Sequence, residues 1–126
     1  MKYKALALDL DGTLTDSEKK VPQGNKEAIA RVIDAGVKVI LASGRPIFGI
    51  TPIAEELELD KKGGYILAYN GGCIVDFKTG EQMAATIMPQ DCIADICSLA
   101  RANGVNALTY ADTQIAAESD TDEYVK

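Results

Sequence analysis

Three short apolar runs, at residues 5–8, 37–42 and 65–69, each give way at once to a polar cluster that contains glycine. A run of this length reads as a buried strand, and the glycine behind it lets the chain turn at the strand's end. Between the first two runs, residues 22–36 carry Ala28, Ile29, Val32 and Ile33 as one stripe, with Gly36 as the stop of a helix. A second helix follows the second run, with Ile50, Ile53, Ala54 and Leu57 on one face. Pro52 leaves it two starts: Thr51 as cap with Pro52 at the first position, or Pro46 as the start with Pro52 bending the helix. Strand, helix, strand at this spacing is a right-handed parallel crossover. Three strands alternating with two helices predict an α/β fold with an open, Rossmann-like parallel sheet.

Beyond residue 72 the pattern changes. Residues 73–77 and 82–88 predict a hairpin around 78–81, followed by a helix opened by Pro89 and closed near Gly104, with Ile93, Ile96, Cys97 and Ala100 as its apolar face. Short strands at 105–110 and 114–117 flank a turn at Ala111, Asp112 and Thr113. Topology therefore divides the chain into a core at 1–72 and the beginning of an α+β domain at 73–126.

The 126 residues carry a net charge of -6 and a pI near 4.6, which argues against a nucleic-acid surface. There is no histidine, so histidine triads, phosphohistidine chemistry and histidine-ligated zinc are out, and carboxylates must carry any acid–base work. No run approaches the length of a membrane span, and the first four residues lead into a strand instead of a signal-peptide core. A cytoplasmic enzyme that binds no membrane is the expectation. Cys73, Cys92 and Cys97 read as small buried thiols in a reducing compartment, with no further role.

The chemistry concentrates at the ends of the runs. Behind the first stand Asp9 and Asp11, which an extended chain aims at one point while Gly12 turns the backbone beside them. Two convergent carboxylates at a strand's C-terminal end point to a cation site with a nucleophile or acid in it. A calcium loop fails on spacing, because Gly12 follows Asp11 directly. Paired aspartates of this kind also occur in sugar-nucleotide transferases and at ordinary turns. Behind the second run, Ser43, Gly44 and Arg45 combine a hydroxyl, free backbone N–H groups and a guanidinium at a helix start, a natural phosphate seat. Taken singly, Ser43 also fits a helix cap and Arg45 a surface ion pair. Asn70, behind the third run, equally fits a plain turn.

Residues 6–17, LALDLDGTLTDS, resemble the first signature of the haloacid dehalogenase superfamily of phosphatases, and SGRP at 43–46 and YNG at 69–71 resemble its Cof-type subfamily. The resemblance implies that Asp9 is a nucleophile that forms an aspartyl-phosphate, with Asp11 as the general acid and then the base. It implies Mg2+ held by the Asp9 carboxylate and the backbone carbonyl of Asp11. Ser43, Gly44 and Arg45 would bind the phosphoryl group of a small phosphorylated metabolite, such as a sugar phosphate, and Asn70 would line the substrate entrance. Residues 73–126 would open an inserted cap that closes over the site and selects the leaving group.

Two further family signals are not found: a lysine beside the nucleophile and an acidic pair completing the magnesium shell. Asp120, Asp122 and Glu123 lack a preceding apolar strand, and they and Lys126 read as a solvated terminus. In a Rossmann order the first strand is central, so without a later neighbour it becomes an apolar edge that no charge or proline at 5–8 protects. The expectation is a fragment of a longer enzyme, a truncated gene product, or half of an assembly completed by another chain. That speaks against catalysis by these residues alone. The leading reading is a magnesium-dependent Cof-type phosphatase. The alternative is a non-catalytic remnant that binds phosphate or a partner chain, and a phosphotransferase, phosphonate hydrolase or sugar-nucleotide transferase stands third.

Overall fold

The structure, a computed structural model, describes residues 3–118, so Asp120, Asp122, Glu123 and Lys126 lie outside the described residues. The chain divides into two compact units, one running through Thr86 and the other starting at Ile87.

The first unit is built on a five-stranded sheet in the order β1-β2-β3-β4-β5. β1 (Ala5–Asp9), β2 (Lys38–Ala42) and β3 (Tyr65–Ala68) are parallel neighbours, joined by α1 (Gln23–Asp34) and by α2 (Ile47–Glu56) with the single turn α3 (Leu59–Lys62). Val39, Leu41, Ile66 and Ala68 are fully buried and pack with Leu10, Ile50, Ala54 and Leu59 in one core. α1 stops where the sequence marked it. Gly36 takes φ +78°, its N–H donates to the Ile33 carbonyl, and Val37 N–H donates to the Val32 carbonyl, a paired closure that needs the left-handed glycine. α2 takes the second of its two possible starts: Pro46 precedes the first turn and Pro52 lies inside the helix.

Among the described residues β1 lies at the edge of the sheet, bonded on one side, to β2. Its Leu6 and Leu8 are accordingly half-buried and not enclosed. At the other edge, a three-residue 3-10 turn, η1 (Tyr69–Gly71), returns the chain as β4 (Cys73–Asp76), antiparallel to β3, and then β5 (Gln82–Ala85). The hairpin that the sequence pattern assigned beyond residue 72 is thus bonded into the core sheet. So short a connection forces adjacent antiparallel pairing, and an alternating pattern alone does not say which sheet a hairpin joins.

The second unit contains α4 (Cys92–Ala102) and a hairpin of β6 (Leu108–Ala111) and β7 (Gln114–Ala117). β6 starts later than the sequence reading because α4 claims the residues before it: Gly104 N–H donates to Arg101 and Val105 N–H to Ala100, closing the helix on a glycine with φ +66°. Of the four residues expected on the apolar face of α4, only Ala100 is buried; Ile93 and Ile96 are 49% and 43% exposed. A two-stranded hairpin is too small to cover that face.

Candidate functional site

Asp9 is the last residue of β1 and pairs in register with Ala42, the last residue of β2, so the two polar clusters leave the sheet side by side. The turn after Asp9 is organised by one carbonyl. Leu10, fully buried, accepts from the N–H groups of Thr13, Leu14 and Thr15 and from the Thr15 hydroxyl at 2.9 Å, while Gly12 takes φ +78°. The buried leucine anchors the loop and the glycine permits its reversal. Among the described residues the Asp9 carboxylate has no hydrogen-bond or ion-pair partner, so its oxygens are available.

Asp11 is held differently. Arg45 donates from Nε to Oδ2 at 3.0 Å and from Nη2 to Oδ1 at 2.6 Å, and Lys19 donates from Nζ to Oδ1 at 2.8 Å. The Arg45 guanidinium first, and the Lys19 ammonium second, hold the Asp11 carboxyl below the usual carboxylate range. Lys19 reaches it from a strained turn: its own φ is +64°, and the Asp16 side chain accepts from the N–H groups of Glu18 and Lys20 to fix the loop. Sequence reasoning did not single out Lys19. The available signal was Asp16, an aspartate whose side chain can build a turn just ahead of a lysine pair.

Ser43 is buried, its N–H donating to the Leu67 carbonyl. Its hydroxyl oxygen accepts from Arg45 N–H at 3.2 Å, and Arg45 Nη1 donates to the Gly49 carbonyl. Ser43 does not cap α2, since Pro46 occupies that position. Arg45 therefore takes the carboxylate, one of the two anions a fork beside this loop could meet. Asn70 follows β3, and its N–H donates to the Ser43 carbonyl at 3.2 Å. Asp9, Asp11, Ser43, Gly44, Arg45 and Asn70 thus gather at the C-terminal ends of three parallel strands, the end at which open α/β sheets bind ligands.

The oxygen donors suited to a hard cation here are the Asp9 carboxylate and nearby backbone carbonyls, because both oxygens of Asp11 are engaged by cations. Among the described residues no three acidic, cysteine or histidine side chains come together as a metal cage. The residues fit one side of a magnesium shell.

An open α/β sheet carrying paired aspartates and a serine loop at its C-terminal end is the arrangement that the resemblance at residues 6–17 and 43–46 implied. Comparison with known proteins agrees: the sequence pattern of the haloacid dehalogenase-like hydrolases matches residues 6–126, and the chain belongs to that family. It is similar to the crystal structure of a haloacid dehalogenase-like hydrolase from Bacteroides thetaiotaomicron, with a TM-score of 0.86 and 41% identity over 96% of this chain and 46% of that one. It is 32% identical to a 5-amino-6-(5-phospho-D-ribitylamino)uracil phosphatase of Bacillus subtilis, over 93% of this chain and 39% of the relative. It is 28% identical to a pyridoxal phosphate phosphatase of Escherichia coli, over all of this chain and 45% of the relative. The chain thus spans less than half the length of each of these proteins.

Proposed function

We propose that this chain carries the nucleophile half of a Cof-type phosphatase that hydrolyses small phosphorylated metabolites through an aspartyl-phosphate. The observation that carries the reading is the asymmetry of the two aspartates: Asp9 has unspent oxygens, whereas Asp11, two residues on, is gripped by two cations. A nucleophile needs a free lone pair; the cations that orient Asp11 also favour its ionised form, the form that acts as base on water.

In the first step an Asp9 oxygen attacks phosphorus and the bond to the leaving oxygen breaks; Asp11, ionised while Arg45 and Lys19 hold it, would first have to take a proton from water or from the incoming phosphate monoester, and would pass that proton to the leaving oxygen. In the second, water attacks the phosphorus of the aspartyl-phosphate, Asp11 takes the water's proton, and Asp9 is released with inorganic phosphate. Ser43 and the N–H groups of its loop would bind the phosphoryl oxygens, and an arriving phosphate would give Arg45 a second anion to pair with, loosening Asp11. Magnesium, held by Asp9 and the Asp11 carbonyl, would offset the charge of the approaching dianion. The names of the relatives support a phosphate monoester as substrate. Residues 87–126 would belong to a cap that selects the leaving group. No helix among the described residues is long and apolar enough to cross a membrane, and the three cysteines are free, which supports a cytoplasmic setting.

The test is magnesium-dependent release of phosphate from an aryl phosphate. Turnover that disappears in Asp9→Asn supports the enzyme. Absence of turnover at any magnesium concentration favours the second reading, a non-catalytic remnant that pairs with a partner segment through the open edge of β1, where Ala5 to Leu8 offer no charge or proline.

A further inference from the structure

The turn that ends β3 is more strained than its task of linking two strands requires. Tyr69 and Asn70 both take left-handed φ angles, +53° and +54°, and Gly71 follows at +94°. Asparagine tolerates this region and glycine is at home in it, but a tyrosine there persists only where its surroundings over-determine it. The surroundings are the phosphate loop. Ladder pairing of β2 with β3 ends at Ala42 opposite Leu67, yet three more hydrogen bonds continue past it: Ser43 N–H to the Leu67 carbonyl at 2.9 Å, Asn70 N–H to the Ser43 carbonyl at 3.2 Å, and Tyr69 N–H to the Arg45 carbonyl at 3.1 Å. The left-handed pair turns its two N–H groups back onto the carbonyls that flank Gly44.

Gly44 itself shows the same fit from the other side. It has no left-handed φ to explain a glycine; what it lacks is room, since a Cβ there would lie 3.0 Å from Asn70 Oδ1 and 3.4 Å from Nδ2. The residue is small because the Asn70 carboxamide rests against it.

We propose that Asn70 is a positioning residue for the phosphate site: with Tyr69 it straps the Ser43–Gly44–Arg45 loop from behind β3, fixing the Ser43 hydroxyl and the Arg45 fork before substrate arrives. The inference rests on the reading of that loop as the phosphate seat. The strap acts mainly through the backbone, so a residue free to adopt φ near +54° preserves it and a β-branched one destroys it.

Two readouts on the 126-residue chain test this. The first is the order of the Gly44 amide by nuclear magnetic relaxation; the second is the Kd of inorganic phosphate in the presence of magnesium, by calorimetry. In Asn70→Val the Gly44 order parameter drops from about 0.85 toward 0.6, and phosphate binds about tenfold or more weakly. Asn70→Gly keeps both near wild type, and Gly44→Ala is better tolerated in the Asn70→Gly background than alone. A turn that merely joins strands would lower Tm in Asn70→Val and leave the phosphate Kd where it was, which overturns the proposal. So does a Gly44 that stays rigid in Asn70→Val, or an Asn70→Gly chain as impaired as Asn70→Val. If Gly44 responds as expected while wild type binds no phosphate, the strap stands and the phosphatase reading falls.

Discussion

Arg45 and Asp11, 34 residues apart in sequence, meet through two charge-assisted hydrogen bonds of 3.0 and 2.6 Å that tie the loop after β2 to the loop after β1. A planar fork on a carboxylate fixes direction as well as distance, so this contact sets the orientation of the group proposed as acid and base. Lysine cannot reproduce it. Arg45→Lys is expected to lower kcat/KM on an aryl phosphate about tenfold, and Arg45→Met about a hundredfold. The side chains are 28% and 39% exposed, so stability should fall by less than about 1 kcal/mol in either variant. Steady-state kinetics beside urea melts check both parts. A large loss of stability with unchanged kinetics would mean that Arg45 serves the fold and not the site.

The same contact fixes the sign of a pH effect. Arg45, then Lys19, lowers the Asp11 pKa in the folded chain below its ordinary value of 3.8. The folded state therefore binds the proton more weakly than the unfolded state, and the contribution to stability is fully present above the unfolded pKa. It is lost as pH falls through the lower, folded value. At 39% exposure solvent screening keeps the effect below about 1 kcal/mol. The difference in Tm between wild type and Asp11→Asn should be largest above about pH 5 and shrink below the ordinary carboxylate range. Added salt should shrink it too. A difference that grows toward low pH would contradict the pairing.

Much of this architecture is written in the sequence because each parallel strand is a short apolar run, although only one face is buried and the other, with Ala5, Ala7 and Lys38, is exposed. Val39 and Leu41 lie in a nearly continuous apolar run, and glycine punctuates each run's end. The meeting of Asp11 with Arg45 was half legible: both lie just past strand ends, but a guanidinium there could pair with a carboxylate or with the phosphate proposed to bind, and sequence does not choose. Lys19 was not legible, since its reach to Asp11 depends on a left-handed residue inside a turn shaped by Asp16. Nor was the fate of the hairpin at 73–85, because periodicity of two describes a strand's faces and not its neighbours. On α4 the pattern correctly marked an apolar face and could not say that Ile93 and Ile96 would stay largely uncovered.

Leu10 links packing to the site more directly than any residue that would touch substrate. It is fully buried, and its carbonyl organises the turn holding Asp9 and Asp11. Leu10→Ala removes buried methyl groups and leaves a cavity, at an expected cost of about 2–5 kcal/mol. The urea midpoint should fall with no change in m, and turnover should fall even at temperatures where the variant is folded, because the loop loses its anchor. Full activity in a folded Leu10→Ala chain would show that the loop is held by its hydrogen bonds alone.

β1 supplies the last prediction. It is bonded to β2 on one side, and Ala7, exposed at its middle, sits in register with Ile40. Among the described residues that edge is unpaired, and residues 5–8 carry no charge, so it is a template for another strand; a lysine there raises the cost of pairing through desolvation and repulsion while leaving the existing ladder intact. Ala7→Lys is therefore expected to shift the chain toward monomer in sedimentation velocity and slow aggregation on concentration, with Tm within about 2–4 °C of wild type. If wild type is already monomeric at high concentration and the variant behaves identically, the edge is not sticky, and the reading of β1 as a surface that pairs with a partner segment loses its physical basis.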